Sequence, residues 1–274
     1  MAAIPKRVLD RFAKKLPEYQ KILKAANDKD VNESDTVTIV TDILADVFGY
    51  DKYSELTREY CIRGTYCDLA IKVDGNLRFL IEAKAIGLDL KPLHLRQALD
   101  YGAREGIQWV ILTNGITWQV NRIRFEQPVA YDIVCSFDIM SMSHRKQDDV
   151  DLLFLLCREA ISTTAIEDFH DRQKFVNRFV VGLLLQEEPV LDVIRRELRR
   201  LSPGLRVENA EVKNILTAEV VKRDTLEGEL AEAAKLRLKT AVKKAARKPR
   251  NAGPAAEASV PPAPLDPSPG QPRA

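Results

Sequence analysis

Asp68 and, fourteen residues later, the run Glu82-Ala83-Lys84 are the residues in this chain whose types and spacing could do chemistry. Side chains alternate along a strand, so Glu82 and Lys84 share a face and Ala83 points away. The residues between form a hairpin. A three-residue loop, Asp74-Gly75-Asn76, would pair Val73 with Leu77 and carry Asp68 opposite Glu82, with Cβ atoms about 5 Å apart. A two-residue loop would slip the register by one and turn Asp68 to the wrong side. Facing carboxylates repel unless a cation lies between them, and Mg²⁺ takes carboxylate oxygens, waters and a substrate phosphate oxygen. Lys84 could then position an attacking hydroxide and stabilise the charge that builds on phosphorus. The competing reading is a salt bridge on a solvated sheet face. Against it, Leu69, Ala70, Ile71, Leu80, Ile81, Ala83 and Ala85 make these strands apolar on both faces. A charge embedded there is costly without a partner or a task.

The elements that must position these groups can be read from pattern. Asn32 reads as an N-cap for a helix running to Phe48 and stopped by Gly49. Three strand-like runs follow, REYCIR, YCDLAIKV and LRFLIEAKA, with turns at Gly64-Thr65 and Asp74-Gly75-Asn76. Pro92 suits the first turn of a helix to about Arg104. IQWVILTNG and ITWQVNRIRF then read as two more strands, with Trp109 and Trp118 in the core. At about 100° per residue, Glu33 falls on the stripe of Val37, Val40, Leu44 and Val47. It could reach the sheet, or simply favour a helix N-terminus. On the second helix, Leu95, Leu99 and Gly102 mark the buried side. His94, Gln97, Tyr101 and Arg104 are then expected opposite, where they could contact phosphate and sugar.

Beyond residue 145 the period is helical, over about 148–161, 164–186, 188–201 and 207–247. The last stretch is rich in strong helix formers with alanine at its apolar positions, so it is expected to project. From Lys235 to Arg250 it carries eight basic residues and no acid. Lys243 and Lys244 are candidate DNA contacts, although bases near a helix C-terminus also offset the dipole. Residues 251–274, rich in Pro, Ala and Gly, are expected to be disordered. The expected organisation is an N-terminal helix at 1–30, an α/β domain at 31–145, a helical region at 146–250 and this tail.

With 274 residues, 45% hydrophobic and 30% charged, the chain can bury a real core. No stretch approaches the roughly 18 apolar residues of a membrane helix. The N-terminus lacks an apolar signal region. Cys61, Cys67, Cys135 and Cys157 form no CxxC, and His94, His144 and His170 are scattered, which speaks against a zinc site. Isolated cysteines fit a reducing cytoplasm.

Taken together, Asp68, Ile81-Glu82-Ala83-Lys84, Gln97-Ala98-Leu99-Asp100-Tyr101, then Trp109 to Gly115 and Trp118, resemble the N-terminal nuclease domain of type I restriction enzyme R subunits. The match covers roughly residues 30–125. That domain belongs to the PD-(D/E)xK superfamily, so the resemblance implies a restriction-endonuclease-like αβββαβ core on a mixed sheet. It implies that Asp68, Glu82 and the Ala83 carbonyl hold Mg²⁺, and that Lys84 positions the water. Glu33 would be a supporting acid, and Gln97 with Tyr101 would organise the site against the DNA backbone. Thr113, Asn114 and Gly115 would be structural. Cys67 stands where the superfamily's proline would be. The sequence holds no GxxxxGK[ST] loop and no room for helicase motor domains, so it is not expected to be a complete R subunit.

Two functions follow as expectations. One is a Mg²⁺-dependent DNA endonuclease, free-standing, as a homodimer, or part of a restriction or defence assembly with protein subunits. The other is a cleavage-inactive DNA-binding or adaptor module that keeps the nuclease fold.

Overall fold

The computed structural model describes residues 3–62 and 65–247. The expected turn at Gly64 and the tail at 251–274 lie outside them. The chain divides into two compact units, Met1–Phe175 and Val176–Ala274.

The first unit is α/β. Helices α1 (Lys6–Asp28) and α2 (Glu33–Asp46) precede strands β1 (Leu56–Ile62), β2 (Thr65–Val73) and β3 (Asn76–Ala83). Helix α3 (Arg96–Glu105) follows a single 3₁₀ turn at Pro92–Leu95. Then come β4 (Trp109–Thr113), β5 (Thr117–Arg124) and β6 (Ala130–Asp138), and helices α4 (Gln147–Phe154), α5 (Arg158–Ile161) and α6 (Ala165–Phe175). The strands lie in one six-stranded mixed sheet in chain order. All neighbours are antiparallel except β3 and β4, which run parallel across the α3 crossover. A parallel pair needs such a crossover, and both its strands are buried on two faces. Every residue of β4 is indeed buried.

Each sheet face has its own core. Leu69, Ile71, Ile81, Ile111 and Val120 meet the apolar stripes of α1 and α2. Ala70, Leu80, Val110 and Leu112 meet Leu95, Ala98 and Leu99 on the α3 side. Trp118 is fully buried and Trp109 nearly so, as expected of core residues.

Several expectations need correction. Helix α1 is no separate segment: Val8, Phe12, Leu16, Tyr19 and Leu23 pack into the first core, and so do Val150, Leu153 and Phe154 of α4. The unit boundary accordingly falls at 175/176 and not at 145. Strand β6, absent from the sequence reading, is an edge strand with one neighbour. Half-buried positions open it, so its alternation is weak. The helical stretch at 164–186 is broken by Asn177, whose side chain caps α7 (Arg178–Leu184) by accepting from the N–H groups of Phe179 and Val180.

The second unit continues with α8 (Glu188–Leu201), α9 (Asn209–Ile215), α10 (Arg223–Leu226) and α11 (Glu229–Arg247). The stretch expected as one helix over 207–247 is therefore three, interrupted at Val221 and at Gly228, whose φ of 95° suits glycine. Nor does α11 simply project: Ala231 and Ala234 are buried, and α11 packs on α7 and α10. Small side chains let helices approach closely.

Candidate active site

The hairpin that carries the acids reaches the expected register by an unexpected route. Its loop has two residues, Asp74 and Gly75, with φ of 52° and 76°, and Val73 pairs with Asn76. Positive φ at both central positions is the type I′ geometry that matches strand twist, and Asp-Gly favours it. Alone, this loop would place Asp68 out of step with Glu82. An irregularity then intervenes: Lys72 pairs with Leu77 but Ile71 with Phe79, leaving Arg78 as an extra residue on β3. The bulge restores the register, so the ladder's last pair, Leu69 and Ile81, lies one step from Asp68 and Glu82.

Around that step the side chains interlock. Asp68 Oδ2 accepts a 2.8 Å hydrogen bond from the Ala83 N–H. Lys84 Nζ donates to Glu82 Oε1 at 2.7 Å and lies 3.5 Å from Glu33 Oε1. Glu33 opens α2 behind the Asn32 cap, whose side chain accepts from the Asp35 N–H. Its alignment with the buried stripe therefore does carry it to the sheet. Lys84 and Glu82 are mostly buried, while Glu33 is half exposed.

The electrostatics follow from that burial. Desolvation pushes both Asp68 and Glu82 above the usual carboxylate range. For Asp68 the Ala83 N–H and Lys84 oppose the shift, and for Glu82 Lys84 opposes it. Each is raised further by neighbouring acids. Burial would lower Lys84, but Glu82, Asp68 and Glu33 outweigh it and hold the ammonium charged more firmly than usual. One cation thus serves three acids.

The backbone around Lys84 is pinned. Its N–H donates to Thr113 O at 2.8 Å, extending the β3–β4 ladder. Beyond it, Asn114 Nδ2 donates to Ile86 O and Leu88 O, and Asn114 Oδ1 accepts from the Ile116 and Thr117 N–H groups. Gly115 turns the chain at φ 85°. One buried amide thus holds the strand that presents Lys84 to the β4–β5 turn. We expect Asn114→Ala, which strands two donors and two acceptors, to cost about 3 kcal/mol in a urea melt. A loss under about 0.5 kcal/mol would sink that role.

The remaining candidates separate. Gln97 is exposed, and its Nε2 donates to Tyr66 O at 2.8 Å, two residues from Asp68 on β2. Among the described residues it makes no hydrogen bond to Asp68, Glu82 or Lys84. Tyr101 is a correction: it is buried in the core beneath α3, not on a solvent face with Gln97. Ala98 is the reason. It belongs to the buried side of α3, and counting it widens the apolar arc until Tyr101 falls at its edge. Arg104 is exposed in the last turn. Lys243 is exposed on α11 in the second unit, and the side chain of Lys244 lies outside the described residues.

Glu59 and Arg58 were not singled out by spacing. With Glu33, Ser34, Val37 and Asp68 they line a recess. Glu59 is the β1 residue missing from the ladder opposite Asp68, with φ at 48°. Nothing within the REYCIR run signals this, because the position that faces Asp68 is set by how β1 pairs with β2.

Two neighbouring carboxylates raised by burial, Asp68 and Glu82, with the Ala83 carbonyl next to Glu82 in the chain, are oxygen donors that could hold a hard divalent cation. Against this, no group of three or more His, Cys, Asp and Glu side chains among the described residues is gathered as a closed metal cage. The set fits a cation that keeps several waters, as Mg²⁺ does. No described helix is long and apolar enough to cross a membrane. No family model, curated protein or solved structure matches the chain, so a reading of its function rests on this geometry and on the sequence resemblance.

Proposed function

We propose that the protein is a Mg²⁺-dependent DNA endonuclease built on a restriction-endonuclease-like core, similar to the nuclease domain of type I restriction R subunits. The observation that carries this reading is the cluster of Lys84 with Glu82 at 2.7 Å and Glu33 at 3.5 Å, beside Asp68 anchored on the Ala83 N–H. The order α2, β1, β2, β3, α3, β4 supports the αβββαβ core.

Asp68, Glu82 and the Ala83 carbonyl would hold Mg²⁺, which supplies Lewis acidity toward a phosphate oxygen and a nucleophile at neutral pH. Lys84, held charged, acts as a cation toward the phosphorus and the incoming water and not as a base. Glu33 keeps the ammonium directed between the acids. Gln97 fixes α3 to β2, and Gln97 and Arg104 remain exposed to meet the DNA backbone.

Purified protein should nick or cut DNA with Mg²⁺ and not with EDTA, assayed on supercoiled, linear and single-stranded substrates. Failure on all three would remove the free-standing enzyme. One observation favours a second reading, an inactive DNA-binding or adaptor module: Glu82 is already satisfied by Lys84, and among the described residues no third acid closes a cage. In that case salt-sensitive DNA binding persists without cleavage.

A further inference from the structure

The second unit carries a groove between α7 and α11 that nuclease chemistry does not use. It is lined by Leu183, Leu238 and Val242, with Lys235, Lys239 and Lys243 against a single acid, Glu187. The surface it presents is mainly apolar. Leu238 and Val242 are four residues apart on α11 and so are stacked neighbours. The three lysines, at four-residue intervals, form a second row beside them. Val242 is 59% exposed, an apolar side chain left open to solvent beside the basic row.

We infer that this groove docks an acidic amphipathic helix of a partner protein. An apolar trough between two helices takes the i, i+4, i+7 anchors of a third helix. A lysine row repeating every four residues, about 6 Å, matches the rise of carboxylates at the same interval on a helix alongside. Charge complementarity therefore selects acidic flanks. Nucleic acid fits less well, because phosphates need cations but no apolar lining; Lys239 and Lys243 carry the charge selection, since Lys235 is paired with Glu232 at 2.7 Å. A second copy docking through the same face would set lysines against lysines.

The test uses the full-length protein and a dye-labelled 20-residue helical peptide with leucines at i, i+4 and i+7 and glutamates flanking them. Fluorescence anisotropy should show binding at least about 10-fold tighter than for a scrambled peptide or a lysine-flanked version. Val242→Glu, at an exposed position, should weaken it about 10-fold or more, and Lys239→Glu with Lys243→Glu should do the same while improving binding of the lysine-flanked peptide. Equal affinity for the scrambled peptide, or indifference to both groove variants, would overturn the proposal. So would a duplex oligonucleotide that depends on Lys239 and Lys243 but not Val242, or a dimer that Val242→Glu dissolves. None of these outcomes depends on whether the protein cuts DNA.

Discussion

Replacing Lys84 by alanine or glutamine should lower Mg²⁺-dependent cleavage of plasmid DNA by at least about 100-fold, the loss typical when one positioned electrostatic group is removed from a reaction centre. The two substitutions together separate chemistry from folding. Alanine leaves the Glu82 carboxylate mostly buried without its 2.7 Å partner, so it should also destabilise the protein. Glutamine can still donate to Glu82 Oε1 and removes only the charge. If both variants lose cleavage while Lys84→Gln melts near the wild type, the ammonium acts in the reaction. If Lys84→Gln cuts normally, Lys84 is a structural counter-ion and the nuclease proposal loses its centre. Glu82→Ala should be as inactive as Lys84→Ala, and the double variant no worse than either. Residues that act as one unit do not add.

What the sequence could show of this site depended on the range of the signal. The alternation of Glu82, Ala83 and Lys84 is local, and the structure keeps it: Glu82 and Lys84 touch, and Ala83 is buried in the opposite core. The expected register holds as far as the adjacent pair, Leu69 and Ile81, although the loop is not the expected one. A tight Asp74-Gly75 turn and a bulge at Arg78 each shift the register by one, and the shifts cancel. Bulges have no clear sequence signature, because the extra residue is set by packing on both faces. Tyr101 shows the other limit. A ten-residue helix lying on a sheet buries a wide arc, and a wheel anchored on leucines alone misplaces its edges. Glu59 was invisible for a third reason. Its place opposite Asp68 depends on how β1 pairs with β2, which no residue within β1 announces. The breaks at Asn177 and Gly228 were legible in principle, since both residue types punctuate helices. The surrounding propensity obscured them.

The second large effect should appear without any DNA. Asp68→Asn should raise the melting temperature in EDTA and abolish stabilisation by Mg²⁺. Burial holds the folded-state pKa of Asp68 and Glu82 above the ordinary carboxylate range, so the folded protein binds those protons more tightly than the unfolded chain. Their contribution to stability is greatest below the unfolded pKa and is lost as pH rises through the folded one, leaving a cost at neutral pH. Asparagine removes the charge but keeps an oxygen that can accept from the Ala83 N–H. The metal-free protein therefore gains stability, and the gain shrinks as pH falls toward the carboxylate range. In the wild type, a cation between the two carboxylates offsets the same cost. At about 100 times its dissociation constant, Mg²⁺ would add about 2.7 kcal/mol, several degrees for a unit of this size. Scanning calorimetry at neutral and mildly acidic pH, with Mg²⁺ and with EDTA, gives all four values. A wild type indifferent to Mg²⁺, with Asp68→Asn less stable than it in EDTA, would mean that Asp68 serves the fold through Ala83 and holds no metal. A site kept at the expense of stability, by contrast, is what selection for chemistry leaves in a protein.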